Sequence, residues 1–289
     1  MIILPEHSSR RTNEIWRTVD RLGFHHGWTF DHISWHSLPG EPWFDSLTTL
    51  ASIASVTTRI EIGPLVVSPN FRHPVPTAKQ VMTLDHLSEG RVILGIGAGA
   101  PGADNAVLGM PALSPADRTA RFREFVELTD TLLRQPATSH HGRFFDAVDA
   151  QMVPGCLQQP RVPFAIAAGG RLGIKIAAEY GSIWVTIGDP GRLDDQSERH
   201  AFRSLREQIR RLEDTCLDIG RDPDSIGRLV NASRIVTDPY STPERLEDLV
   251  GRFAELGFTD VVVNYPRQEG IFAATLDQFE RAASALLET

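Results

Sequence analysis

Asp31 and His32 form an ionisable pair that could move a proton, in a segment where Trp28 and Trp35 flank them. Histidine exchanges a proton near neutral pH, so His32 is the expected proton donor or acceptor of a catalytic site. Asp31 would orient that ring or accept a hydrogen bond from a ring N–H of a bound heterocycle. An ordinary acidic residue beside a solvated histidine is the alternative, and the segment alone leaves both open.

Two stretches of small residues are further candidates for ligand contact. Gly97, Ala98 and Gly99 end an apolar run, and residues this small let a backbone approach a ligand closely. The second stretch leads into a predicted helix, where N–H groups and the helix dipole favour a phosphate and an arginine adds charge. It consists of Ala168, Gly169, Gly170 and Arg171, with a plain tight turn as the alternative.

Arg72 and His73 are expected to face an anionic ligand or to lie in a stiff, proline-rich surface loop. Like the other candidates, they closely follow a short apolar run. Each such run is followed by an amphipathic stretch, which predicts parallel strands joined by helices. The predicted strands are residues 2–4, 27–31, 60–67, 91–96, 164–167, 182–187, 228–235 and 259–264. Ser114-Pro115 and Thr242-Pro243 predict two helix starts, a long polar helix is predicted over about residues 195–219, and the prolines at 69, 74 and 76 predict a loop before a helix over residues 78–87.

The alternation predicts an α/β protein, a (β/α)8 TIM barrel with an insertion between strands 4 and 5, in one domain over residues 1–289. The length of 289 residues suits such a barrel, which is typically about 250 residues long. A doubly wound sheet is the alternative. The insertion, residues 136–162, contains a predicted turn at His140, His141 and Gly142. Because barrel chemistry lies at the carboxyl ends of strands, the candidates above are expected to share one rim.

Composition excludes several classes of protein. A net charge of −8, from 29 basic and 37 acidic residues, is unlike a nucleic-acid-binding surface. Apolar runs are too short to span a membrane, residues 1–7 lack the pattern of a secretory signal, and two cysteines suit a reducing cytoplasm. A metal-dependent hydrolase using His25, His26, His32 and His36 is disfavoured, since no ligand set is evident.

The sequence resembles the bacterial-luciferase-like flavin and deazaflavin oxidoreductases. The resemblance is carried by residues 27–32 and 60–63, by residues 76–99, and by the turn at 168–170 with its helix to Tyr180. It implies a TIM barrel with the cofactor at the carboxyl-terminal rim. It also implies a non-proline cis peptide between Leu65 and Val66 behind the cofactor ring.

The resemblance further implies the roles of the candidate residues. The backbone of Gly97, Ala98 and Gly99 would lie by the ring or its ribityl chain, and Gly169, Gly170 and Arg171, following Ala168, would hold the phosphate. Asp31 and His32 match a pair near the reacting carbon in deazaflavin members. Trp35 and His36 would wall the substrate side.

The leading hypothesis is therefore a coenzyme F420-dependent oxidoreductase that transfers a hydride between the deazaflavin ring and a small organic substrate. The alternative is an FMN-dependent monooxygenase supplied with reduced flavin by a partner reductase. A cofactor-binding protein without catalysis is a further alternative. Deazaflavin members often carry an acid directly after the Gly-x-Gly run, where this chain has Ala100, which argues against a sugar-phosphate substrate. A cytoplasmic homodimer is expected, with no metal, nucleic-acid or membrane partner.

Overall fold

Short parallel strands form the inner layer of the molecule. The computed structural model describes residues 1–100, 104–189 and 198–287. The strands of this layer are β1 (His26–Thr29), β2 (Glu61–Pro64), β3 (Leu94–Gly97), β6 (Phe164–Ala167), β7 (Ile183–Thr186), β8 (Gly227–Asn231) and β9 (Asp260–Val262). Two further strands, β4 (Ala137–His141) and β5 (Asp146–Gln151), lie outside it in a separate sheet.

The strands close into a ring, which confirms the predicted barrel. β1 pairs with β2, and β3, β6, β7, β8 and β9 pair in that order, all in parallel. Bridges from Ile62 to Val92 and from Val67 to Ile96 join β2 to β3. Ile2 closes the remaining gap, because it bridges both Trp28 and Asn264.

The barrel has an inward and an outward layer of side chains, since successive residues of a strand point to opposite faces. On β8 and β9, Leu229 and Val262 pack in one buried cluster with Ile2 and Trp28, which is the barrel interior. Val230 and the residue after Val262, Val263, pack in the other cluster, between the strands and the helices. This alternation fixes which side chains face into the barrel.

Helices surround the strands. They are α1 (Ser9–Leu22), α2 (Ser46–Ala54), α3 (Pro74–Leu87), α4 (Asp104–Val107), α5 (Pro115–Arg134), α6 (Arg171–Tyr180), α7 (Glu198–Asp218), α8 (Pro243–Glu255) and α9 (Leu276–Leu287). Ser114 and Thr242 cap α5 and α8 by accepting hydrogen bonds from Asp117 N and Arg245 N. Both helices begin with a proline, as the sequence predicts. The predicted start of α7 at residue 195 lies outside the described residues.

The insertion is an antiparallel hairpin of β4 and β5. His140 and His141 lie in β4, so the turn predicted at those residues is wrong and begins only at Gly142. Glu124 of α5 holds this turn, because its carboxylate accepts the backbone N–H groups of Phe144 and Phe145 at 3.0 and 2.8 Å. The residues directly before the two histidines, 137–139, include no glycine, proline or asparagine that would favour a turn. Strand β4 therefore continues through both histidines.

Candidate active site at the carboxyl-terminal rim

The carboxylate of Asp31 is enclosed by other side chains just beyond β1. Ser46 at the start of α2 donates to its Oδ1 at 2.6 Å, and Arg72 donates Nε to Oδ2 at 3.0 Å and Nη2 to Oδ1. Arg72 also binds Asp45. Burial lowers the pKa of Arg72, but the carboxylates of Asp31 and Asp45 outweigh it and hold that pKa above its ordinary value.

This ion pair bears on two interpretations of the sequence. Arg72 was expected either to face an anionic ligand or to lie in a stiff surface loop, but the anions that it binds are Asp31 and Asp45 of the chain itself. The side chain of Asp31 has no exposed surface and its carboxylate is bound by Ser46 and Arg72, so contact of Asp31 with a cofactor stays a prediction. His73 caps α3, since its Nδ1 accepts from Val75 N at 3.2 Å.

His32 is paired with an acid that the sequence did not point to. Its Nδ1 lies 2.9 Å from Oδ2 of Asp104, on the short helix α4, and Oδ1 of Asp104 accepts the backbone N–H of Ile33 at 2.8 Å. Asp104 is buried, whereas the side chain of His32 is 27% exposed. The ring therefore has one anchored nitrogen, and its Nε2 has no hydrogen-bond partner among the residues that the structure describes.

The dyad can hold and move a proton. With Asp104 as acceptor, neutral His32 carries its hydrogen on Nδ1 and keeps the lone pair of Nε2 available. The carboxylate also stabilises the ring once Nε2 takes up a proton. Trp43 adds a second restraint, because its indole N–H donates to the backbone carbonyl of His32 at 3.0 Å.

An aromatic cluster lies beside this dyad. Trp35 stacks on Phe272 with ring centroids 6.1 Å apart, and it contacts Phe30 and Trp43 at 5.3 and 5.6 Å. Trp35 is buried in this cluster, while His36 is exposed and contacts Trp35 edge-on. Trp35 and its aromatic neighbours can form a wall on the substrate side. The predicted role of Trp35 and His36 in that wall stays a prediction.

The exit of β2 has the predicted backbone irregularity, because the peptide bond between Leu65 and Val66 is cis. Gly97 is required by this segment, since a Cβ there would approach Val66 Cγ2 to 2.6 Å. Gly99 has a φ of 75°, and a Cβ there would approach Asn70 Nδ2 to 2.3 Å. Close packing against residues 66–70 therefore accounts for these glycines. Contact of residues 97–99 and 65–66 with a cofactor stays a prediction.

The turn after β6 presents a helix N-terminus to open space. Gly170 caps α6 with no side-chain hydrogen bond, and a Cβ built on it meets nothing within 4 Å. Trp184 Nε1 donates to Ala168 O at 2.8 Å, which anchors the turn. Arg171 is exposed at the first helical position, and Arg211 of α7 reaches Gly169 O at 3.5 Å. Arg211 is a second cation here that the sequence did not indicate.

The other histidines of the metal-dependent alternative do not converge. His26 lies at the start of β1 and binds Asp260 through Nε2 at 2.8 Å, while His32 binds Asp104. Within residues 1–100, 104–189 and 198–287, no group of three or more His, Cys, Asp or Glu side chains could hold a metal ion. In the same residues, no helix is both long and apolar enough to cross a membrane.

The barrel and the pattern of its rim define the class of protein. The model of the luciferase-like monooxygenase family matches residues 3–285, and this chain belongs to that family. A solved relative, the coenzyme F420-dependent tetrahydromethanopterin reductase from Methanopyrus kandleri, superposes with a TM-score of 0.78. The superposition covers 100% of this chain and 96% of that one at 18% identity, so it shows the shared fold.

Two curated relatives have different cofactors or reactions in their names. An F420-dependent glucose-6-phosphate dehydrogenase of Amycolatopsis mediterranei is 33% identical over 176 residues, which are 60% of this chain and 52% of that protein. A 4-hydroxyprotoasukamycin monooxygenase of Streptomyces nodosus subsp. asukaensis is 29% identical over 245 residues, which are 83% of this chain and 62% of that protein. The chain thus spans between about half and two thirds of these relatives. The relatives of this chain thus include proteins named as F420-dependent and proteins named as monooxygenases.

Proposed function

We propose that the protein is a coenzyme F420-dependent oxidoreductase that transfers a hydride between the deazaflavin ring and a small organic substrate. The observation that carries the proposal is the His32–Asp104 dyad, which leaves Nε2 of a partly exposed histidine available at the rim. A reductase or dehydrogenase that moves a hydride needs a group of this kind to balance the proton. The names of the dehydrogenase and reductase relatives support the same cofactor.

The residues after β6 fit a phosphate. A helix N-terminus carries unpaired N–H groups and a partial positive charge, and α6 begins without a capping side chain. The open space at Gly170 leaves room for phosphate oxygens, and Arg171 and Arg211 bring guanidinium groups to the same turn. Gly169, Gly170 and Arg171 would hold the phosphate of the cofactor, and the bound deazaflavin would supply or accept the hydride.

The chain itself contributes positioning, exclusion of water and a proton path. Nε2 of His32 would give a proton to, or take one from, the substrate atom that gains or loses negative charge. Asp104 keeps the imidazole in the tautomer that this step needs, and Asp31 with Arg72 holds the segment that carries His32. The aromatic cluster around Trp35 would shield the reacting atoms from solvent.

A second candidate is an FMN-dependent monooxygenase that uses reduced flavin and oxygen. The similarity to the 4-hydroxyprotoasukamycin monooxygenase over 83% of this chain supports it. FMN also carries a phosphate, so the turn at Gly170 would serve either cofactor. A cytoplasmic location, a single domain, a homodimer and, for FMN, a partner reductase are parts of these proposals.

Titration of the purified protein with oxidised F420 and with FMN, followed by fluorescence, tests the proposal. We expect micromolar affinity for F420, weaker affinity for FMN, and loss of binding in Gly170→Asp. The φ of −90° at Gly170 suits any residue and aspartate is a good helix cap, so this variant should fold. Its carboxylate should repel the phosphate of the cofactor and thereby prevent binding. His32→Ala should bind F420 like the wild type and lose turnover by about 10²- to 10⁴-fold.

Gly251→Asp is the matched control, because a Cβ at Gly251 on α8 also meets nothing within 4 Å. It makes the same change in net charge away from the rim and should leave cofactor affinity unchanged. Tighter binding of FMN than of F420 would favour the monooxygenase. Equal losses in both glycine variants, or no binding of either cofactor, would refute the assignment of the phosphate site.

A further inference from the structure

Two buried carboxamides at the carboxyl end of the barrel have polar atoms without partners. Asn231 is the last residue of β8 and 3% exposed, and Asn264 follows β9 and is 2% exposed. Within the described residues, Oδ1 of Asn231 and both Oδ1 and Nδ2 of Asn264 have no hydrogen-bond partner. Buried side-chain polar atoms are nearly always paired, so these atoms call for a partner that the described residues do not supply.

Both side chains point into the barrel. Asn231 comes two residues after Leu229 and Asn264 two residues after Val262, and both of those apolar residues face the barrel interior. The strands are neighbours, with Asn231 in register with Val262. The two carboxamides are thus inward positions on neighbouring strands, with Asn264 two residues beyond the partner of Asn231, at the end of the barrel that carries the candidate active site.

The backbone fixes these side chains in place and does not use them. Asn264 N donates to Ser233 Oγ at 2.7 Å, and Asn264 O accepts from Tyr240 Oη at 2.6 Å. Asn231 precedes a 3-10 turn, where an asparagine commonly caps, yet its side chain makes no capping bond. The carboxamides are therefore held facing inward by a frame that would remain if they were replaced.

The surroundings indicate the chemistry of the missing partner. A carboxamide offers both a donor and an acceptor, which suits a neutral carbonyl or hydroxyl group better than an anion. Two arginines near the carboxyl ends of the strands are already bound to carboxylates of the chain: Arg72 to Asp31 and Asp45, and Arg267 to Glu6. The apolar side chains of the cluster in the barrel interior, among them Trp35 and Phe30, would contact the apolar part of such a ligand.

We propose that Asn231 and Asn264 form the hydrogen-bonding end of the substrate subsite, and that this subsite takes neutral carbonyl or hydroxyl compounds with an apolar body rather than phosphorylated ones. The assignment rests on the proposed function, because it names the substrate class of that same site. The carboxamides would set substrate affinity and orientation, whereas His32 would handle the proton.

Calorimetry tests this proposal by measuring the binding of cyclohexanone and acetophenone with and without oxidised F420. Glucose 6-phosphate is the charged compound for comparison. We expect saturable binding of the ketones and none of the phosphate ester. Asn231→Leu and Asn264→Leu should each weaken ketone binding about tenfold, the effect of losing one hydrogen bond to a buried group. Affinity for F420 should stay at the wild-type value in both variants.

Thermal unfolding of the same variants separates a ligand site from a structural role. Leucine has nearly the shape of asparagine and leaves no unpaired polar atom, so both variants should unfold at or above the wild-type temperature. Asn70→Leu is the matched control. Asn70 is equally buried, but its amide donates to Ala100 O at 2.8 Å and accepts from Arg121 at 2.7 Å, so its loss should lower that temperature.

Three results would overturn the proposal: unchanged ketone affinity in both leucine variants, tighter binding of glucose 6-phosphate than of the ketones, or destabilisation of both variants as large as that of Asn70→Leu. Failure of the proposed function would look different, because F420 would then not bind to the wild-type protein at all. The ketone titration without F420 and the thermal comparison would still decide the role of the two asparagines.

Discussion

At the scale of single residues, the contact between His32 and Asp104 controls which ring nitrogen carries the hydrogen. Asp104→Asn replaces an obligatory acceptor with a group that can also donate, so the imidazole can turn its hydrogen to Nε2. We expect turnover to fall by about tenfold to 10³-fold with cofactor affinity unchanged. Nitrogen NMR of the His32 ring should show the loss of the Nδ1–H tautomer.

Asp277→Asn is a control for this change, because Asp277 forms an exposed pair with Arg281 on α9. That variant should match the wild type in turnover and in the tautomer of His32. Wild-type turnover in Asp104→Asn, together with an unchanged NMR spectrum, would show that Asp104 does not orient the ring.

The site residues that are neighbours in the sequence were predictable, whereas their hydrogen-bond partners from distant parts of the sequence were not. Asp31 and His32 stand out because they follow an apolar run, and the barrel rule places such residues at the rim. Asp104 lies 72 positions from His32, and no local pattern in the sequence indicates that the two residues meet. Arg72 was recognised as a cation near the rim, but its partners Asp31 and Asp45 come from other segments.

At the scale of elements, Asp20 joins the end of α1 to the residues that lead into β2. Its carboxylate accepts the backbone N–H groups of Thr58, Arg59 and Ile60 at 3.0, 3.2 and 2.9 Å. Burial raises the pKa of Asp20, but these N–H groups outweigh it and hold the pKa below its ordinary value. A lowered pKa means that the charged form stabilises the folded state.

We expect Asp20→Asn to lower the free energy of unfolding by about 1–3 kcal/mol at pH 7, because an amide cannot accept all of these bonds. The contribution of Asp20 is complete above its unfolded pKa, near 3.8, and is lost as the pH falls through the lower folded value. Urea unfolding at pH 7 and at pH 2 measures this directly. A difference between variant and wild type that persists at the lower pH would contradict the assignment.

Elements were predicted best where local chemistry determines their ends. The capped, proline-initiated starts of α5 and α8 were predicted correctly from Ser114 and Thr242. The prolines before α3 were interpreted as a loop, but the helix begins at Pro74, since proline fits a first helical turn. Strand β8 ends at Asn231, earlier than its apolar run suggests, because the chain enters a 3-10 turn there.

At the scale of the whole molecule, the first residues of the chain complete the ring of strands by joining β1 to the residues that follow β9. Ile2 N donates to Val263 O at 2.8 Å, and Tyr265 N donates to Ile2 O at 2.7 Å. On the other side, Ile3 N donates to Trp28 O at 2.8 Å. The apolar pattern predicted a strand at residues 2–4, but only closure of the barrel explains why so short a segment is fully buried. Closure also aligns Asn264 with the rest of the rim.

Ile2→Ala tests whether this closure supports the molecule as a unit. Ile2 has 0% of its surface exposed, so the substitution leaves a cavity inside the barrel and should cost about 2–5 kcal/mol in urea unfolding. Because the cavity borders β1 and β9 together, we expect one cooperative transition, displaced as a whole to lower urea. Leu217→Ala, at a side chain that is 65% exposed on α7, should change stability by less than about 0.5 kcal/mol. If Ile2→Ala cost no more than this control, residues 1–4 would be peripheral, and the barrel would have to hold its rim in register without them.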